Sequence, residues 1–406
     1  MARLLSLNSY HYRRGGSDVV YLDHAALFAQ NGWDTHFFSM QHPKNLPCPD
    51  QDGFAGLVDM EFAHTLPQKL KVAAKSVYNI EARRKLRLCV QQQTFDVAHL
   101  HCVYHHLTPS VLPVLARAGI PVVLTAHDLK LACPAYKMMN AGGICEDCRQ
   151  GAYWHAAKGR CIKGQRAASL VVTAEAYLHR ALKSYQKHLA KIICPSRFYQ
   201  EKLMAWGWQA HQTTYIPNFA PRMAPGFSGD YTGNILFFGR LSQEKGLATL
   251  IKAAAMAGVA VDIAGTGPQS GDLQDLAARM GAPVRFLGRL DGPDLWRTVG
   301  QARAVVIPSE WYENAPMSVL ESYQLDRPVI GADIGGIPEL VKTGRDATGW
   351  LFPHGDASLL SRALRSACQA PDDVLQEMGR RASAMVNAHF SPQQYYQRMS
   401  ALYRSL

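Results

Sequence analysis

The sequence predicts an α/β protein built from two doubly wound, Rossmann-like domains. Three observations carry that expectation. The chain has 406 residues, more than one hydrophobic core usually serves. Short apolar runs alternate with longer helical patterns through both halves, which implies parallel sheets covered by helices on both faces. Between the halves, Ile216-Pro-Asn-Phe-Ala-Pro-Arg-Met-Ala-Pro-Gly interrupts every periodic pattern with three prolines and a glycine. The composition, 48% hydrophobic and 18% charged, is that of an ordinary globular chain.

In the first half the strand candidates are Arg3 to Leu7, Asp34 to Ser39, Val97 to Leu100, Val122 to Ala126 and Lys191 to Pro195. In the second they are Asn234 to Phe238, Val261 to Ala264, Val284 to Leu287, Ala304 to Pro308 and Pro328 to Ala332. The expected domains are therefore 1–218 and 219–390. A last segment, 391–406, reads as a capped helix that returns to the first domain.

Charge is unevenly placed. Residues 1–218 hold 25 Lys+Arg against 14 Asp+Glu, and residues 219–406 hold 18 against 18, so the whole net charge of +11 lies in the first half. Part of it is concentrated in Lys69, Lys71, Lys75, Arg83, Arg84, Lys85 and Arg87, interleaved with Leu70, Val72, Val77, Ile80, Leu86 and Leu88 and opposed by Glu81 alone. A helix of this pattern could lie on an anionic membrane or pack its apolar side on its own domain. Nucleic-acid binding is not expected, because no recognition motif accompanies the charge. No stretch is long and apolar enough to span a bilayer, and the N-terminus lacks a signal-peptide core. The expected location is cytoplasmic, with peripheral contact on the inner face of the membrane.

The chemistry concentrates after two strands of the second half. In Leu236-Phe-Phe-Gly-Arg-Leu-Ser-Gln-Glu-Lys-Gly-Leu, Arg240 and Lys245 stand at a carboxyl strand end, where open parallel sheets bind ligands. Two cations there suit a diphosphate. In Ile307-Pro-Ser-Glu-Trp-Tyr-Glu-Asn-Ala-Pro-Met-Ser-Val-Leu-Glu, Glu313 precedes a helix that starts near Pro316, and Glu321 lies inside it. The leading amides at Met317 and Ser318 form an anion site, and the two carboxylates can accept hydrogen bonds from sugar hydroxyls.

Arg240, Lys245 and the Glu313 to Glu321 pair resemble the signature of the retaining glycosyltransferases of family four, the group 1 glycosyltransferases of the GT-B fold. Ile263-Ala-Gly-Thr-Gly-Pro, Phe286-Leu-Gly-Arg and Val329-Ile-Gly-Ala-Asp-Ile-Gly-Gly-Ile-Pro-Glu-Leu are similar to runs of the same family. The resemblance implies that Arg240 and Lys245 stabilise a leaving diphosphate, that Glu313 contacts the donor sugar, and that Glu321 holds the ribose. Gly265, Gly267 and Leu287, with the neighbouring Arg285, are further donor-side candidates. In the first domain Gly15 and Gly16, which open the first helix, resemble the family's glycine-pair loop. That loop commonly has Glu where this chain has Asp18, and Ser17 or Asp18 could simply cap the helix. His127, in Leu124-Thr-Ala-His-Asp, matches a histidine of the donor sugar pocket and is counted with the catalytic residues. Asp128 follows it.

Of nine cysteines, Cys48, Cys89, Cys102, Cys194 and Cys368 are scattered, and four crowd a segment at about 130–165 with the spacing Cys133-x11-Cys145-x2-Cys148-x12-Cys161. Four thiolates complete a structural zinc site, and a metal clip would steady a segment of low apolar content. An iron–sulfur cluster, a redox disulfide pair and unligated thiols are the other readings, with His155 a spare ligand. The core family pattern does not require this insertion, and its place after His127 suggests that it shapes the acceptor side.

The sequence therefore points to a retaining hexosyltransferase that moves a sugar from a UDP- or GDP-linked donor to a saccharide acceptor, lipid-linked, in polysaccharide or glycoconjugate biosynthesis. No catalytic metal is expected. The competing readings are a sugar-nucleotide epimerase or hydrolase of similar fold and a non-catalytic metal- or redox-sensing binding protein.

Overall fold

The structure is a computed structural model, and it describes residues 1–58, 65–220, 231 and 233–406. The chain divides into two compact units, Met1–Ile216 with Tyr396–Leu406, and Pro217–Tyr395. The proline-rich break expected near Ile216 continues, at 221–226, outside the described residues.

The first unit holds β1 (Arg3–Leu7), β2 (Asp34–Phe38), β3 (Val97–Leu100), β4 (Val122–Thr125), a small hairpin of β5 (Met139–Asn140) and β6 (Gly143–Ile144), then β7 (Lys191–Cys194) and β8 (Thr213–Tyr215). All but the hairpin form one parallel sheet in the order β2-β1-β3-β4-β7-β8. Its central strands read as apolar runs because both faces are covered: Leu4, Leu5, Leu100, Val123, Leu124 and Ile192 are buried. The C-terminal helix Pro392–Arg404 is opened by Ser391, whose side chain accepts the Gln394 amide. Its Tyr396 and Tyr403 rings pack on Phe28.

The basic stretch from Lys69 to Arg87 is two helices, Leu66–Val77 and Ile80–Gln92. Thr65 and Gln68 form a capping box for the first. Asn79 breaks the run because its side chain accepts the Ala82 amide and caps the second helix. Leu66, Leu70, Ile80 and Leu88 stay exposed, and Leu66–Val77 buries no residue fully.

The second unit has β9 (Ile235–Phe238), β10 (Val261–Ala264), β11 (Val284–Gly288), β12 (Val305–Ile307), β13 (Val329–Asp333) and β14 (Gly349–Pro353), all parallel, in the order β11-β10-β9-β12-β13-β14. This order reverses direction between β9 and β12. Loops that follow those two strands therefore leave on opposite sides and open a crevice at their carboxyl ends. Among the described residues no helix is long and apolar enough to cross a membrane.

Lys130, just beyond β4, is buried in an ion pair with Glu175 at 2.5 Å and also donates to the Pro134 carbonyl. Removing one partner of such a pair leaves a bare charge in the interior. Lys130→Met should destabilise the protein by about 3–5 kcal/mol in urea unfolding, and adding Glu175→Gln should restore much of the loss.

Candidate active site

The crevice of the second unit gathers its chemistry on the loops after β9 and β12. Arg240 lies two residues beyond β9, and Lys245 ends the short turn Gln243–Lys245. Glu313 follows β12. Lys245 Nζ lies 2.6 Å from Glu313 Oε1, and Ser309 Oγ donates to the same oxygen at 2.6 Å. Burial alone would push the Glu313 carboxyl up, but the Lys245 charge and the hydrogen bonds outweigh it and hold it below the usual range. The site is thus a buried, ionised carboxylate bound to a partly exposed ammonium.

The β13 loop fixes Glu313 from behind. The Gly336 amide donates to the Glu313 carbonyl at 2.8 Å, and Gly335 has φ +60 with so little room that a Cβ would lie 2.3 Å from the same oxygen. Only glycine lets the two loops meet this closely. The helix Met317–Gln324 starts just beyond, with no side-chain cap. The Val319 amide turns back to the Pro316 carbonyl, while the Met317 and Ser318 amides donate to no other main-chain group among the described residues. They lead the helix as free donors for an anion. Glu321 is half-buried inside that helix.

Among the described residues the exposed Arg240 guanidinium is paired with no carboxylate. Gly265 and Gly267 serve packing, since a Cβ would meet the Gly239 carbonyl at 1.8 Å and the Leu241 carbonyl at 2.2 Å. They lock the loop after β10 onto the loop after β9 that carries Arg240. Leu287 lines a hollow of about 330 Å³ with Asn234, Asp262 and Leu290, and Arg285 there is bound bidentately to Asp262 at 2.7 and 2.9 Å. None of Arg240, Lys245, Glu313 or Glu321 borders that hollow.

In the first unit Gly15 caps the helix Gly16–Gln30 in an extended conformation open to any residue, and a Cβ at Gly16 would meet nothing within 4 Å. The fold itself does not demand this glycine pair. Asp18 is buried, accepts from Asn8 at 2.9 Å and lies 3.5 Å from the Arg14 guanidinium, so it ties the helix start to the loop after β1. His127, half-buried beyond β4, meets His101 through Nε2 and Nδ1 at 2.8 Å, so one of these nitrogens carries the shared proton. The His101 ring stacks on both His127 and His99. His99 is hydrogen-bonded to Thr125 at 2.7 Å and to Tyr403, whose hydroxyl also meets His24 at 3.0 Å. Burial lowers all four imidazoles, His24 and His127 to about 3, and keeps them neutral. It also raises the neighbouring Asp128 carboxyl to about 6.

His101, Ser309 and Asn8 were missed by sequence reasoning. The His99-x-His101 spacing across the end of a buried strand was the available signal, because alternate residues of an extended chain share one face. Cys133, Cys145, Cys148 and Cys161 lie in the segment after β4. Among the described residues no group of three or more His, Cys, Asp or Glu side chains is set to hold a metal ion as it stands.

The buried histidines make stability depend on acid. Unfolded, they take up protons near pH 6.5; folded, His24 and His127 do so only at about pH 3. Their contribution is complete above about pH 6.5 and is lost as pH falls, by about 1.4 kcal/mol per pH unit for each histidine. Urea midpoints should therefore drop from about pH 6.5 to 5, and His24→Gln should flatten that slope.

Residues 230–385 match the family described as glycosyl transferases group 1, and residues 14–221 match glycosyltransferase family 4. The chain is 29% identical to a glycogen synthase of Mycobacterium tuberculosis over 63% of its own length and 62% of the relative's. It is 25% identical to the amylovoran biosynthesis glycosyltransferase AmsK of Erwinia amylovora, over 55% and 59%. The chain spans less than two thirds of the length of these curated relatives. A solved structure of Anabaena HepE in complex with UDP-glucose aligns over 100% of both chains with a TM-score of 0.66 and 18% identity, a likeness of fold. With strand order, site loops and family matches in agreement, the chain belongs to glycosyltransferase family 4, the group 1 glycosyltransferases, and has the GT-B fold.

Proposed function

We propose that this protein transfers a sugar, with retention of anomeric configuration, from a UDP- or GDP-linked donor to a lipid-linked saccharide acceptor in polysaccharide or glycoconjugate assembly. The observation that carries the reading is the Lys245–Glu313 pair at the β9/β12 crevice, beside Arg240 and an uncapped helix start. Cleavage of the bond between the anomeric carbon and the phosphate oxygen develops negative charge on the diphosphate. Arg240 and Lys245 are suited to stabilise it, and the Met317 and Ser318 amides to bind the phosphate. Two fixed cations and amide dipoles supply the charge that a divalent ion would otherwise bring, so the proposed chemistry is metal-independent. Glu313 would then orient the donor sugar, Glu321 the ribose, and His127 the sugar from the first unit. The acceptor hydroxyl attacks on the face the diphosphate leaves, and its proton passes to the departing phosphate oxygen. HepE's complex with UDP-glucose supports the donor class.

The acceptor side follows from surface chemistry. Leu66 and Leu70 are 71% and 62% exposed beside Lys69, Lys71 and Lys75, a pairing suited to the inner face of an anionic bilayer. A lipid-linked acceptor would be met there.

The test is release of nucleoside diphosphate from a panel of sugar nucleotides, with and without lipid-linked saccharides, and the anomeric configuration of the product by NMR. Acceptor-dependent release with retention supports the proposal; release without acceptor, or an inverted product, overturns it. Arg240→Ala should lower kcat about 10²–10³-fold with unfolding unchanged, because the guanidinium holds no carboxylate among the described residues. Sedimentation with anionic vesicles should be lost in Leu66→Ser/Leu70→Ser, and equal sedimentation with neutral vesicles would remove the membrane reading.

A further inference from the structure

One face of the second sheet departs from the packing of the rest. Strand register sets Leu236 on β9, Asp262 on β10 and Arg285 on β11 side by side, so the three share that face. In a sheet covered on both sides such a row is ordinarily apolar and close-packed. Here two of the three are charged, and over them lies the hollow of about 330 Å³, at the lower end of the ~300–1,000 Å³ of small-ligand sites. The helix Gly292–Gln301 walls it with Thr298 and Gln301, and Leu287 and Leu290 form its apolar side. The Gly233 amide donates to the Gln301 carbonyl at 2.8 Å, and the Arg303 amide to the Asn234 carbonyl at 3.3 Å, which fastens the start of β9 to the end of that helix.

The lining has polar groups to spare. The buried Asp262 carboxylate is held by the Arg285 guanidinium through Nε and Nη2, and Arg285 Nη1 has no protein partner among the described residues. Asn234 Nδ2 donates to the same carboxylate at 3.3 Å. Its Oδ1 and the Gln301 side-chain amide are likewise unpartnered among the described residues, and the Thr298 hydroxyl, which donates to the Asp294 carbonyl at 2.8 Å, can still accept. Charge is balanced throughout: Asp262 matches Arg285, and beyond the hollow Arg289, Arg297 and Arg303 pair with Asp291, Asp294 and Asp372. An anion would meet a guanidinium already neutralised, with a carboxylate behind it. An apolar ligand would strip water from amide and guanidinium groups and return no hydrogen bond. A neutral ring with hydroxyls on its rim and C–H bonds on its face suits both sides of the hollow.

We infer that this hollow binds one neutral pyranose unit of a saccharide, with its hydroxyls on Arg285, Asn234, Thr298 and Gln301 and its C–H face on Leu287 and Leu290. Arg240, Lys245, Glu313 and Glu321 do not border it, so it holds sugar without reacting on it, and no bond is made or broken there. The natural occupant, which rests on the transferase reading above, is a sugar of the saccharide being extended. A chain gripped here stays at high local concentration for the next round of transfer.

The full-length protein is mixed with the methyl α-glycosides of glucose, galactose, mannose and N-acetylglucosamine, with UDP and GDP in excess to fill the donor crevice, and binding is read by saturation-transfer NMR. At least one glycoside should receive saturation at its ring C–H protons. Thr298→Phe, which fills the hollow, should weaken that binding about 10-fold, the scale of one or two lost hydrogen bonds. Gln301→Ala, at an exposed position, should weaken it in the same direction and decides the matter if Thr298→Phe does not fold. No saturation of any glycoside, or equal saturation in both variants, overturns the assignment, as does uridine or inorganic phosphate bound in a Thr298-dependent way. Donor cleavage and transfer are measured on the same samples: glycoside binding without transfer would reject the transferase reading and leave this site standing, and transfer without Thr298-dependent binding would do the reverse.

Discussion

A carboxylate can be buried and still ionised only where a cation and a hydrogen-bond donor reach it together, and the second unit is organised around one such meeting at Glu313. Lys245 comes from the loop after β9, Ser309 and Glu313 from the loop after β12, and Gly335 and Gly336 from the loop after β13. Three crossover connections must therefore bring their strand ends to one point. The reversal of strand order between β9 and β12 opens the space that the Lys245–Glu313 pair then borders. Coulombic attraction across that gap opposes burial and prevails, which leaves the ammonium oriented before any anion arrives.

The first unit solves its internal problem in the opposite way. Where the second keeps a buried charge and pairs it, the first keeps buried imidazoles neutral and hydrogen-bonds them. His24, His99, His101 and His127 form a stacked, proton-sharing group from the C-terminal helix to the end of β4. A neutral His127 can donate or accept a hydrogen bond toward a sugar hydroxyl without repelling a nearby cation, and its tautomer is coupled to that of His101. The two halves thus differ in electrostatic design despite a shared architecture.

Much of this was legible in the sequence because buried parallel strands are continuous apolar runs. Arg3–Leu7, Val97–Leu100 and Val261–Ala264 have the expected limits, and the others differ by a residue at one end or, for Val305–Ile307 and Val329–Asp333, at both. Thr213–Tyr215 and Gly349–Pro353 escaped notice because they are edge strands, one short and polar, the other bounded by Gly and Pro, and neither carries the run that burial on both faces imposes. Arg240, Lys245 and Glu313 were readable because each follows a recognisable strand. Ser309, Asn8 and His101 were not, since their importance arises from register between strands and loops distant along the chain. The Lys69 to Arg87 stretch shows local chemistry overriding periodicity: a continuous charge pattern is cut by the cap at Asn79.

The first unit is discontinuous: Tyr396–Leu406 completes it after the chain has traversed the whole second unit. Tyr396 and Tyr403 cover Phe28, and Tyr403 supplies a hydroxyl to His24 and His99, so that core waits uncapped during synthesis until the last helix leaves the ribosome. The second unit, continuous from Pro217 to Tyr395, has no such wait. The unit begun first thus completes its core only after the unit begun second has been made.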